Sequence, residues 1–192
     1  IVSNGVPVLT TVSLLPDPVY VGETLAATAT ATDPEGDSLT FEYSWYVNSI
    51  LQQSSTSNTF ASFVKDDVVE VVVIANDGSN DSQSDSASIT VGNTAPGAPT
   101  ISILPVDPVE AVDDLVCSVD VASIDADIAD SVSYTFAWTV GSTAYSGAST
   151  SAMSSTVSAS ETVAGEVWTC TVTPNDGTDD GVAAGSSITI SS

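Results

Sequence analysis

The chain has no histidine, and lysine and arginine together number one, Lys65, in 192 residues. Without histidine there is no imidazole to act as general base, to relay a proton to a serine or to ligate a transition metal. A single lysine also removes the basic surface that phosphate backbones require, so nucleic acid is excluded as a partner. No Gly-rich phosphate-binding loop is present. Carboxylate pairs remain for glycoside chemistry, but they fall in turn-like segments rather than at an expected cleft. The chain therefore reads as a non-enzyme. No stretch approaches the roughly 18 apolar residues of a membrane helix, so membrane insertion is not expected. Neither a secretory leader nor an initiator methionine heads the sequence, which reads as a processed or excised segment.

Acidic residues number 25, an ordinary share, so the net charge of -24 comes from missing bases rather than from an acidic tail. Such a surface attracts divalent cations, stays soluble in brine and leaves trypsin-like proteases one cleavage site. It suits an exposed extracellular fibre, and equally a salt-adapted organism whose proteins are acidic throughout. Cysteine is scarce, with Cys117 and Cys170 alone. An even count in an acidic, Ser/Thr-rich chain points to an oxidising compartment; two buried free thiols are the other reading.

What the chain does contain is itself, twice. Val12-Ser-Leu-Leu-Pro16 returns as Ile101-Ser-Ile-Leu-Pro105, and Asp37 to Trp45 returns as Asp130 to Trp138. Ala75-Asn-Asp-Gly78 matches Pro174-Asn-Asp-Gly177, and Ala87 to Val91 matches Ser186 to Ile190. The offset grows from 89 (Asn4 to Asn93) through 93 (Trp45 to Trp138) to 99 (Asn76 to Asn175), as insertions in loops would make it. Two modules follow, residues 1–92 and 93–192, joined by a Pro-stiffened linker at about 92–99. Ile1 to Ser3 reads as the tail of a preceding copy, so the pair is expected to belong to a longer array.

Short segments rich in Val, Ile, Thr, Tyr and Phe alternate in polarity and are broken by Gly, Pro, Asn and Asp, the pattern of an antiparallel sandwich. No apolar period of 3.6 is sustained, so helix should be scarce. Strands are expected at Val8–Leu15, Thr24–Thr32, Leu39–Val47, Asn58–Val64, Val68–Ala75 and Ala87–Val91. In the second copy they are expected at Thr100–Leu104, Leu115–Ala122, Ser133–Val140, Ser154–Ser160, Glu166–Thr173 and Ser186–Ile190. Shorter extra strands are expected near Ile50–Gln53 and Ala144–Gly147. Alternation turns Phe41, Tyr43, Trp45 and Val47 inward, with Tyr134, Phe136, Trp138 and Val140 as their counterparts. Val69, Val71 and Val73 match Trp168, Cys170 and Val172. Val72 and Ile74 fall on the opposite face, under an extra strand or at a lateral contact.

Asn93-Thr-Ala-Pro96, Asp33-Pro-Glu-Gly-Asp37 ahead of Tyr43-Ser-Trp45, and the paired Asn-Asp-Gly turns carry a resemblance. With them the chain resembles the bacterial immunoglobulin-like, PKD and cadherin-like tandem modules of large secreted or cell-surface proteins. The resemblance implies an all-β fold of two tandem immunoglobulin-like antiparallel β-sandwiches. By immunoglobulin lettering it puts Cys117 on the second strand and Cys170 on the sixth, in opposite sheets beside Trp138. Such a pair would staple the sandwich by roughly 4 kcal/mol. The first copy has Ala27 and Val71 at the matching places and is expected to rely on packing or on metal.

Calcium takes six to eight oxygen ligands at flexible angles. Asp33, Glu35 and Asp37 offer alternate carboxylates around a glycine, and Asp125, Asp127 and Asp130 are their equivalents, with one extra residue and no glycine. Asn76, Asp77 and Asp81, and Asn175, Asp176 and Asp179, lie on the turn before the last strand, which the sandwich topology brings to the same pole. Each is equally a turn former, whose side chain bonds the local backbone. The expectation is non-enzymatic structural or spacer modules of a long extracellular fibre, stalk or adhesin at a bacterial surface, stiffened by calcium. One alternative is a self-assembling filament subunit that donates a strand from Ile1–Leu15 to an identical subunit. Another is a carbohydrate-binding accessory module of a secreted hydrolase, with Tyr20, Tyr46, Tyr145 or Trp168 as the platform for a surface glycan. Asn80-Asp-Ser82 is a lone glycosylation sequon.

Overall fold

Alternating burial runs along every long strand, and it places each aromatic row on the inside of a sandwich. The computed structural model describes residues 4–192, in two units, Ile1–Asn93 and Thr94–Ser192. Ile1 to Ser3, the expected tail of a preceding copy, lie outside the described residues. Among those described, the one helical segment is a 3-10 turn at Ala159–Glu161. None of their helices is long and apolar enough to cross a membrane.

The first unit comprises β1 (Val8–Leu15), β2 (Val19–Tyr20), β3 (Leu25–Thr32), β4 (Thr40–Val47), β5 (Ile50–Ser55), β6 (Thr59–Phe60), β7 (Val68–Asn76) and β8 (Asp85–Gly92). One sheet has the order β1-β3-β6 and the other β2-β8-β7-β4-β5. All pairings are antiparallel except β2 with β8. Val69, Val71, Val73 and Ala75 on β7 are fully buried, while Glu70, Val72 and Ile74 on its other face are half-buried. Val72 and Ile74 stand beside Ser44 and Glu42 of β4 in an open sheet face rather than beneath a further strand of this unit. Trp45, 0% exposed, stacks on Phe60 with ring centroids 5.6 Å apart and donates its indole N–H to the Ser57 carbonyl. Burying such a ring is worth roughly 4–6 kcal/mol of transfer free energy.

In the second unit β9 (Thr100–Leu104), β10 (Leu115–Val121), β11 (Ser133–Val140), β12 (Thr143–Tyr145), β13 (Ser149–Thr150), β14 (Ser154–Val157), β15 (Val167–Asn175) and β16 (Ala184–Thr189) repeat the plan. The sheets order as β13-β14-β10-β9 and β12-β11-β15-β16. Cys117 on β10 and Cys170 on β15 belong to different sheets and form a disulfide across the core, with Cα atoms 6.5 Å apart. Trp138 lies opposite Cys170 in the β11–β15 ladder, and Trp45 lies opposite Val71 in the β4–β7 ladder, so the tryptophan holds the same register in both copies. Phe41, Val47, Tyr134, Phe136 and Val140 pack against the two cores as expected.

Two expected strands are shorter than the sequence suggests. The one at Asn58–Val64 shrinks to Thr59–Phe60, because Asn58 bonds β3 through both its side chain and its carbonyl, at Ala27. The one at Ser154–Ser160 stops at Val157, where Ser158 caps the 3-10 turn. The linker is partly absorbed into the second fold. Gly97 donates its N–H to the Ile124 carbonyl, and the Pro96 carbonyl accepts from Val182.

Candidate metal centre

In the first unit the loop between β3 and β4 folds around Asp33. Its Oδ1 accepts the backbone N–H groups of Glu35 and Asp37, both at 3.0 Å. Its Oδ2 is buried with no hydrogen-bond partner. Glu35 and Asp37 are exposed, and Glu35 Oε2 accepts the Gly5 N–H at 2.9 Å. On the β7–β8 turn Asn76 donates to Asp81 Oδ1 at 2.7 Å and accepts from the Gly78 N–H. Gly78 has φ +94°, a conformation that favours glycine. Asp77 Oδ1 takes the N–H groups of Ser79 and Asn80 at 2.7 Å, and its Oδ2 takes the Asn4 amide at 3.0 Å. The Asn80 backbone N–H, with smaller help from Ser79, Asn4 and the Asn80 side chain, holds the Asp77 carboxyl below its ordinary pKa.

The second unit repeats these bonds. Asp125 Oδ1 accepts the Asp127 N–H at 2.8 Å, and Asp127 Oδ2 accepts the Thr94 N–H at 2.6 Å, the counterpart of Gly5 to Glu35. Asn175 donates to Asp180 Oδ1 at 2.9 Å and accepts from Gly177, while Asp176 Oδ1 takes the N–H groups of Thr178 and Asp179 at 2.7 Å. The Asn-Asp-Gly residues are thus turn formers in both copies, and Asp81, Asp179 and Asp180 close or border those turns. Asn4 and Thr94 are the participants that spacing alone does not single out. Thr94 and Gly5 act through their backbones, which leave no residue-type signal.

The copies diverge at the carboxylates. Asp125 and Asp130 from the β10–β11 loop and Asp176 from the β15–β16 turn each bring an oxygen within 4.8 Å of the others, and among the described residues no other such acidic group forms. Asp127 is 4% exposed and Asp176 7%. Four oxygens at this pole are buried without a hydrogen-bond partner: Asp125 Oδ2, Asp127 Oδ1, Ser123 Oγ and Thr94 Oγ1. At the first unit's pole the Asp33 oxygen alone is so placed among the described residues. Two charges 4.8 Å apart repel by about 3 kcal/mol at an effective dielectric of 20. Residues 94–192 contain no lysine, arginine or histidine to offset this.

Elsewhere, three surface hollows of about 290, 380 and 320 Å³ are lined mainly by apolar, hydroxyl and amide side chains, with Asp85 their sole carboxylate. Of the aromatic platform candidates Trp168 is 1% exposed, its indole bonded to Glu166 Oε2 and its ring edge-on to Tyr145 at 4.9 Å. Tyr46 and Tyr145 are half-buried, and Tyr20 is 37% exposed. The sequon is engaged in the fold: Asn80 donates its amide to the Gly5 carbonyl, and buried Ser82 accepts the Ala75 N–H.

Among solved structures, the chain is similar to a segment of two fibronectin type III domains from chicken tenascin. That match has 13% identity and a TM-score of 0.43, covering 94% of this chain and 98% of that one. It is also similar to the FN1–FN3 domains of chicken CNTN1, at 14% identity and a TM-score of 0.36, over 98% of this chain and 68% of that one. No protein-family model matches the chain, and no curated protein matches it by sequence.

Proposed function

We propose that the chain is a pair of non-enzymatic structural modules from an extracellular fibre, stalk or adhesin, working by spanning distance rather than by transforming a substrate. The observation that carries this reading is what the repeat repeats. Strand order, core tryptophan and turn hydrogen bonds recur in both copies, whereas no acid–base or nucleophilic constellation does. Reiterated scaffold adds length and surface. A disulfide fits an oxidising compartment, and the sequence motifs favour a bacterial cell surface, where the partners would be neighbouring modules.

Immunogold electron microscopy with antibodies raised against the chain tests the reading on intact source cells. Label along surface fibres is expected, and label confined to the cell interior would overturn it. Affinity electrophoresis through common polysaccharides is expected to leave the chain unretarded; retardation would transfer support to a glycan-binding module. Purified chain is expected to stay monomeric, since Val8–Leu15, within the segment considered for donation, already pairs with β3 of its own unit. Filaments of purified chain would instead favour the self-assembling subunit.

A further inference from the structure

We propose that the outer face of the sheet β2-β8-β7-β4-β5 in the first module docks a partner protein through a segment that presents an arginine beside apolar side chains. The inference goes beyond the spacer reading, and either can fail without the other.

Alternation along β7 gives Val69, Val71 and Val73 to the core and Glu70, Val72 and Ile74 to the opposite face. Register sets their neighbours there. Tyr46 stands opposite Glu70, Ser44 opposite Val72 and Glu42 opposite Ile74. Leu51 on β5 stands opposite Tyr46, and Ser88 and Ser86 on β8 stand opposite Glu70 and Val72. Cross-strand partners share a face, so Leu51, Tyr46, Val72 and Ile74 make an apolar patch with Glu70 within it and Glu42 at its margin. Leu51 is 52% exposed, and Tyr46, Val72 and Ile74 are half-buried. Apolar patches rimmed by polar side chains mark contact surfaces.

The fold itself does not call for this patch. At the same ladder positions the second module has Thr169, Thr171 and Thr173 on β15, with Thr139, Ala137 and Thr135 opposite them on β11. Ser187 and Gly185 complete that face on β16. No carboxylate and no large apolar group stands among them, yet the sandwich is the same. The difference between the copies therefore lies in what each outer face can meet.

Charge selects the occupant. Glu42 accepts the Ser54 hydroxyl at 2.9 Å, whereas Glu70 accepts no hydrogen bond from the described residues. A surface laid over Glu70 strips water from its carboxylate and must return a donor. An arginine does so with two N–H groups, and its flat guanidinium can lie against the Tyr46 ring. A second copy of this chain cannot supply it. The chain has no arginine, and at a net charge of -24 copies repel each other.

Amide NMR of the isotope-labelled full chain, at physiological ionic strength, tests the face. The probe is a synthetic extended peptide with arginine, valine and valine at every second position and serine between. Saturable shifts are expected at Tyr46, Glu70, Val72 and Ser86. Exchanging the peptide's arginine for glutamate, or its valines for serine, should weaken binding by about tenfold or more. Glu70→Gln in the chain should do the same. Asp17→Asn, which removes an equal charge from an exposed loop, should change binding by less than about twofold. Combining Glu70→Thr, Val72→Thr and Ile74→Thr gives β7 the outer face with which β15 already folds, and should abolish the shifts. Undiminished binding to that triple variant, equal loss from Asp17→Asn, shifts spread over the acidic loops, or no shifts at all would overturn the proposal. Shifts at the same amides that grow with chain concentration, without peptide, would give the face to a second copy and overturn it too.

Discussion

Replacing Cys117 with alanine and Cys170 with valine gives the second module the pair that the first already carries in its core. Ala27 and Val71 are 1% and 0% exposed, and both cysteines are 0% exposed. The double variant therefore removes the covalent bond while keeping a packing solution that the same fold uses 89 to 99 positions earlier. The cross-link closes a loop of 53 residues. Chain-entropy arithmetic for that length withdraws about 14 cal/mol/K from the denatured state, or about 4 kcal/mol at 25 °C. Domains of this size are stable by about 5–15 kcal/mol, so the loss is a large fraction of the whole. The urea midpoint of the second module should fall by roughly 2–4 M and its melting temperature by roughly 15–30 °C. Tryptophan fluorescence reports it, because Trp138 and Trp168 both lie in this module. A Trp45→Phe background silences the other. A loss below about 1 kcal/mol would refute the idea that the cross-link acts by restricting the denatured chain.

A methyl group at Gly181 would run into the Pro96 carbonyl, so Gly181→Ala should destabilise the second module by roughly 1–3 kcal/mol; an unchanged thermal melt would show that the linker yields freely. Asp77 titrates below its ordinary value of 3.8 in the folded chain, so its contribution is present above that pH and is lost as pH falls through the lower, folded value. Asp77→Ala should accordingly lower the first module's urea midpoint at pH 7, and the gap should close as pH falls below the ordinary carboxylate range; a gap independent of pH would point to packing instead of charge.

Most of the fold was legible because its signals are local and periodic. Val69, Val71 and Val73 alternate with residues of the outer face, and the structure buries those three. The disulfide was legible through the Cys…Trp…Cys order and the immunoglobulin-like resemblance, which implies that Cys117 and Cys170 lie on strands of opposite sheets beside Trp138. Two-residue strands such as β2 and β13 were not, because a period of two cannot show itself in two residues. The β3–β4 and β10–β11 loops look equivalent by their acids. In the second unit two of those acids, Asp125 and Asp130, come together with Asp176 of the β15–β16 turn, a meeting of two loops that the spacing within either one does not encode.

Those backbone contacts also decide where one repeat may be cut from another. Thr94, Pro96 and Gly97 precede the first strand of the second sandwich, yet all three are bonded to its loops. Excision at Thr100, the visible start of β9, would strip away the Asp127 clasp and two main-chain bonds. A graft or expression clone that respects the fold must begin at or before Thr94.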